Sequence, residues 1–178
     1  MGEARDFKPV RLILGVLSVR SDLHRPLVQR MEELFGPIEL ITDPVPFLYT
    51  DYYDREMGKR PDRFFIVFER LMDPTDLVRC KLATNGIEQE FAEKGKRTLN
   101  LDPGILSAEN LILATTKNRS HRIPLGSGIY GEVTLLYAHH DFQDFPWTYA
   151  DYKSTSAKAL FRQLRTQYLE LLKQLGQK

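Results

Sequence analysis

Two short stretches of the chain are apolar at consecutive positions, not at alternate ones. Residues 11–18 read RLILGVLS and residues 63–70 read RFFIVFER. A strand covered on one face alternates, so an unbroken apolar run predicts a strand buried on both faces. A helical pattern follows each. Ser21 and Asp22 offer cap oxygens to a helix with Leu23, Leu27, Met31 and Leu34 on one stripe. Pro26 fits there only inside the first turn, and Gly36-Pro37 ends the helix. Asp73-Pro74-Thr75-Asp76 opens the second helix with a cap, a proline at the first position and acid at the positive dipole end. Its stripe is Cys80, Ala83, Ile87 and Phe91, and Gly95 behind Lys94 reads as its C-cap. Short strands follow at 38–42 and 98–101. The order strand–helix–strand, twice over, predicts an α+β fold with a ferredoxin-like (βαββαβ) core at about residues 8–102 and both helices on one face.

The remainder, about 103–178, is expected to extend that core within a single domain spanning 1–178. Asp102-Pro103-Gly104 reads as a turn, residues 107–110 as one helical turn and residues 111–116 as a strand. Residues 120–125 and 129–139 form a hairpin around Gly126-Ser127-Gly128. A C-terminal helix starts near Ser154 or Ser156. Its apolar stripe of Ala157, Leu160, Leu164, Tyr168, Leu171 and Leu175 faces away from Lys158, Arg162, Arg165 and Lys173, as in a helix docked on a surface. Two long stretches, 43–62 and 139–152, show no clear period, although 46–49 reads as a further piece of sheet. Loops of that length are usually functional. These two hold Tyr49, Tyr52, Tyr53, Tyr149, Tyr152 and Trp147, aromatic side chains with polar tips that suit pocket walls or interfaces.

Three strings carry a likeness to known sequences: TDYYDREMG at 50–58, NLDPGIL at 100–106 and HRIPLGSGIYGEVTLLY at 121–137. They resemble a prokaryotic family of uncharacterised proteins, domain of unknown function 4416, and the similarity runs nearly end to end. The resemblance implies a stand-alone prokaryotic protein. It brings no established activity, so it assigns no catalytic residue.

Charge narrows the partners. Twenty-five basic residues against twenty-four acidic ones give a net charge of +1, so attraction to phosphate must come from a local patch. The longest apolar run, 12–17, is far too short to cross a bilayer, and the first residues lack a signal-peptide core. One cysteine, Cys80, makes no internal disulfide. The expectation is a cytoplasmic protein with no membrane partner.

Familiar motifs fail on context. Residues 126–133, GSGIYGEV, fit the glycine pattern of a kinase phosphate loop and of a dinucleotide fingerprint. A strand follows where the fingerprint needs a helix, and no H-R-D or D-F-G comes after. Gly95-Lys96-Arg97-Thr98 lacks the hydroxyl and first glycine of a P-loop, so GTP binding has no motif behind it. His139, His140, Asp141 and Asp144, with Asp51, Glu56, Asp102 and Glu132, are ligand types near turns that leave room for a divalent metal cofactor. Cys80 lies on an apolar stripe and reads as inert core.

The hairpin is more informative. His121 and Arg122 face Glu132 across it, His121 directly with a two-residue turn at Gly126-Ser127 and Arg122 directly with a three-residue one. A cross-strand ion pair and an acid–base site fit equally. The functional reading makes Glu132 and His121 the catalytic pair. Arg122, Lys117, Asp51, Tyr52, Glu56 and Asp102 then bind a small anionic ligand, phosphorylated or nucleotide-like. The alternative is a non-catalytic module binding RNA or a protein partner. Nucleic acid and a homo-oligomer both stay open as partners.

Overall fold

The computed structural model describes residues 2–51, 56–58 and 60–176. Among them are nine strands and four α-helices, and the strands form one sheet. Its middle is built by the two continuously apolar segments, β1 (Val10–Ser18) and β4 (Asp62–Met72), paired antiparallel. α1 (His24–Phe35) leads from β1 to β2 (Ile38–Ile41), which lies on the far side of β4 beside the short β3 (Val45–Pro46). α2 (Leu77–Glu90) leads from β4 to β5 (Leu99–Leu106), on the other side of β1. The sheet continues through β6 (Asn110–Thr115), β8 (Ile129–Ala138) and β7 (Ile123–Gly126), giving the order β2-β4-β1-β5-β6-β8-β7. β9 (Asp141–Asp144) also pairs with β8, and every pairing is antiparallel. α3 (Ala150–Lys153) and α4 (Thr155–Gln174) complete the chain.

The apolar runs are explained by three layers. Leu12, Leu14 and Val16 of β1 with Phe64, Ile66 and Phe68 of β4 pack under Leu27 and Met31 of α1 and Cys80 and Ile87 of α2. The intervening residues Ile13, Phe65 and Val67 pack on the opposite face against Ala157, Phe161 and Leu164 of α4. Burial pushes the Cys80 thiol up to about 11, consistent with a core residue. Among the described residues, no helix is long and apolar enough to cross a membrane.

Several expected elements are different. Asp102-Pro103-Gly104 is not a turn but lies inside β5, so this strand runs across the expected boundary between core and extension. Residues 107–110 make a tight chain reversal, Ser107 N–H donating to Asn110 O, with no helical turn assigned there. The 139–152 stretch contains β9, because His139 and His140 adopt left-handed φ of 52° and 64° and turn β8 back on itself. The helical stripes are rotated slightly. Phe35 packs on the core where Leu34 was expected, and Phe161 and Leu172 are buried beside Leu164 while Leu175 is exposed.

Candidate functional site

β5 and β6 pair over only half their length. Gly104, Ile105 and Leu106 oppose Leu113, Ile112 and Leu111; beyond Gly104 the ladder stops. The cause is local. Backbone groups alternate in direction along a strand, and Leu101 turns its own away from β1. Pro103, two residues on, faces the same way and has no N–H to give to β6. α2 supplies the missing neighbour for Leu101. Glu88 Oε1 accepts from Leu101 N (2.7 Å), and Lys81 Nζ donates to Leu101 O (2.7 Å), both side chains being buried. Side chains thus replace a strand, and the wedge between β5 and β6 stays open.

The hairpin of β7 and β8 closes one wall of that wedge. Ser127 and Gly128 form its two-residue turn with φ of 51° and 74°. A register shift between Pro124 and Gly126 brings Ile123 opposite Gly131 and so carries Arg122 across from Glu132, and the His121 side chain reaches the same carboxylate. Arg122 Nε donates to Glu132 Oε2 (2.7 Å), and His121 Nε2 lies 2.9 Å from the same oxygen. Glu132 is 1% exposed, and its Oε1 has no partner among the described residues. Arg122 is fully engaged, since Nη1 donates to Lys117 O (2.9 Å) and Nη2 to the Tyr149 hydroxyl (3.1 Å). His121 stacks on Trp147, which stacks on Phe145 (both 4.8 Å between ring centres). Trp147 Nε1 donates to Val133 O and Thr148 Oγ1 to Thr134 O, which fastens this segment to β8 and sets the position of Tyr149. Burial, aided by the Asp102 and Glu132 charges, pushes the Tyr149 hydroxyl above its usual 10. It therefore stays protonated, and because it accepts from Arg122 its own hydrogen is left to donate.

Three cavities meet at Asp102 and Tyr149. The largest, about 700 Å³, has Phe47, Tyr49 and Tyr149 as aromatic walls and Arg63, Lys117, Arg119 and Arg122 as cations. A second, about 390 Å³, runs under α2 and shares Asp102, Lys117 and Tyr149 with the first. A third holds about 20 Å³, room for one water, between Glu132, Arg122 and Asp102. Asp102 is fixed by Asn100 Nδ2 (2.7 Å) and stands 4.0 Å from Arg63, whose Nη2 is 2.7 Å from Asp151 Oδ2. Gly15 is required beneath them, because a Cβ there would collide with the Tyr152 hydroxyl and stand 2.9 Å from Arg63 Nη1.

Of the sequence-predicted residues, Glu132, His121, Arg122, Lys117 and Asp102 gather at this junction. Glu56 joins at its rim through Arg97. Two hydrogen bonds of 2.7 Å link them, and they hold the Glu56 carboxyl below its usual range despite partial burial. Asp51 is exposed and lines none of the three cavities. Tyr52 and Tyr53 lie outside the described residues. Lys81, Asn85, Glu88 and Gln89 of α2 went unread in the sequence, as did Arg63 with Asp151. The α2 residues left a legible trace: polar residues at i, i+4, i+7 and i+8 beside an apolar stripe mark a second inward face.

The carboxylates of the histidine-rich loop are engaged by cations of the protein. Among the described residues no group of three or more His, Cys, Asp or Glu could hold an ion. Asp141 accepts from Arg162 Nη1 (2.7 Å), and Asp144 pairs with Lys158 and Lys153, so these carboxylates tie β9 to the end of the chain.

No curated protein and no solved structure matches the chain significantly. One family model does, described as a domain of unknown function (DUF4416), over residues 8–168. That span takes in every strand and the wedge between β5 and β6, and the chain belongs to this family.

Proposed function

We propose that the open wedge between β5 and β6 is a binding site for a small anionic ligand, phosphorylated or nucleotide-like. The observation that carries this is the 700 Å³ cleft that adjoins the wedge at Asp102 and combines aromatic walls with four cationic side chains. Concave, partly apolar clefts with a few convergent polar groups are where small ligands bind. In this reading the four cations act together: Arg122 is paired with Glu132, Arg63 faces Asp151, Lys117 stands close enough to Glu56 to help lower its carboxyl, and Arg119 is exposed. Arg122 holds the Lys117 carbonyl and Tyr149 in place. If the site is catalytic, Asp102 and the Tyr149 hydroxyl are the proton-handling groups that face the cleft. Glu132 and His121 stand behind them as the pair that keeps Arg122 aligned and exchanges protons through the small chamber.

The order β2-β4-β1-β5 with α1 and α2 on one face supports reading that part of the sheet as a ferredoxin-like unit. A platform for RNA bases is the weaker reading, since helices cover both faces of β1 and β4.

Thermal-shift and calorimetric titration with inorganic phosphate, sugar phosphates and nucleotides tests the proposal. A native-state ligand at a hundred times its Kd adds about 2.7 kcal/mol of stability. The expected result is a raised midpoint that Lys117→Ala with Arg119→Ala abolishes. An unmoved midpoint, or one equally raised in the double variant, would contradict it. Asp102→Asn against Glu132→Gln separates the two chemical roles: the first should remove turnover with the fold intact, the second should mainly lower stability.

A further inference from the structure

The two larger cavities are unlike in chemistry, although they share Asp102, Lys117 and Tyr149. The larger is cationic and aromatic. In the one under α2 the charged groups other than the shared Asp102 and Lys117 are matched to protein partners: Glu88 to Arg97 (3.0 Å) and Leu101 N, Lys81 to Leu101 O. Asn100 is likewise engaged, by Arg97 and Asp102. Away from the shared residues, what remains to meet a ligand is neutral. Asn85 and Gln89, one helical turn apart on α2, and Thr116 at the end of β6 form no side-chain hydrogen bond among the described residues.

From this division we infer that the ligand is a phosphorylated sugar or polyol, alone or as part of a nucleotide. The inference rests on the anion-binding reading above and adds the identity of the second half of the ligand. Side-chain amides donate and accept at once, and a threonine hydroxyl does both. Vicinal hydroxyls need that pairing, whereas a second phosphate would need further cations and an acyl chain would need apolar walls. The phosphate lies against Lys117 and Arg119, and the carbon chain passes Asp102 and Tyr149. Its hydroxyls reach Asn85, Gln89 and Thr116. Asp102, at the junction, meets the hydroxyl nearest the phosphate.

Calorimetry on the full chain with inorganic phosphate, ribose 5-phosphate, ribose and adenosine 5′-monophosphate decides this. Ribose 5-phosphate should bind about tenfold more tightly than phosphate, the worth of one or two neutral hydrogen bonds. Asn85→Ala with Gln89→Ala should bring its Kd to that of phosphate while leaving the phosphate Kd unchanged. Neither residue is in the core, so circular dichroism melts should coincide with wild type. A further gain with the nucleotide would place the base against Tyr49 and Tyr149, and equal affinity would leave the ligand a simple sugar phosphate; both keep the inference. Equal Kd values for phosphate and ribose 5-phosphate, or an α2 double variant that binds ribose 5-phosphate normally, would overturn it while sparing the anion site. Failure of phosphate and ribose 5-phosphate alike to bind would overturn both.

Discussion

The two ends of the β5–β6 pair behave differently although they belong to the same strands. At one end Gly104–Leu106 zips against Leu111–Leu113 through backbone hydrogen bonds, so closely that a Cβ on Gly104 would meet Leu113 Cδ2 at 2.6 Å and Ile112 O at 2.9 Å. At the other end Asn100 and Asp102 face Thr115 and Lys117 across a cavity, and the Leu101 backbone is bonded by Glu88 and Lys81 instead. A single imino acid separates the two. The lesson is that a sheet can open a polar site without an unsatisfied edge when a neighbouring helix supplies one donor and one acceptor at strand spacing.

The closed end should be the more sensitive to packing. Leu164 of α4 belongs to the cluster that includes Leu106, Leu111 and Leu113, and it is fully buried. Leu164→Ala is expected to cost about 2–5 kcal/mol in urea unfolding, the upper part if the cavity stays open. A soluble, equally stable fragment ending near Lys153 would show that this face needs no helix. Gly104→Ala should cost about 1–3 kcal/mol, because the clash falls partly on backbone. Glu88→Ala probes the open end. It orphans the buried Leu101 N–H and removes a partner of Arg97, a loss of about 1–3 kcal/mol. Accelerated amide exchange at Leu101 should accompany it, and unchanged exchange would break the contrast. Lys117→Ala, exposed at the open end, should change stability by less than about 0.5 kcal/mol while weakening anion binding.

Acid titration should separate the two regions by sign. Asp151, beside the open end, has its carboxyl raised above the usual 3.8, burial outweighing the Arg63 charge. A raised folded value favours the protonated form in the fold. Its contribution is therefore present below about pH 4 and lost as pH rises through the folded value. Asp141 and Asp144 are held below 3.8 by hydrogen bonds from Arg162 and Lys158. Their stabilisation is present above about pH 4 and lost as pH falls through their folded values. Both are partly open to solvent, which screens their ion pairs, so this is the smallest effect. Urea midpoints over about pH 2 to 6 for Asp151→Asn and for Asp141→Asn with Asp144→Asn should move in opposite senses relative to wild type.

The central strands were plain in the sequence because double-sided burial leaves unbroken apolar runs such as LILGVL and FFIVF. The C-terminal helix was plain for a similar reason: Ala157, Leu164 and Tyr168 of its stripe are buried, while Phe161 and Leu172 take the places expected for Leu160 and Leu171. β9 was hidden because its turn is His139-His140, where a two-residue hairpin turn usually carries Asn or Gly. Pro103-Gly104 misled in the opposite direction. The pair normally marks a turn, but here the proline ends a ladder inside a strand and the glycine admits a close neighbour. In the site, Glu132 with His121 and Arg122 was readable because hairpin pairing is local. The α2 side chains and the Arg63–Asp151 pair were not, because they meet strands distant in sequence and only the sheet order brings them together.

The central claim is that the open end of β5–β6 receives a small anion. Backbone amide chemical shifts during titration with ribose 5-phosphate test it most directly, since they locate binding residue by residue. The expected result is saturable movement concentrated at Leu101, Asp102, Thr115 to Lys117 and Arg119, with the zipped residues Ile105 and Ile112 still. Absence of any shift at millimolar ligand, or shifts confined to surfaces away from the wedge, would contradict it.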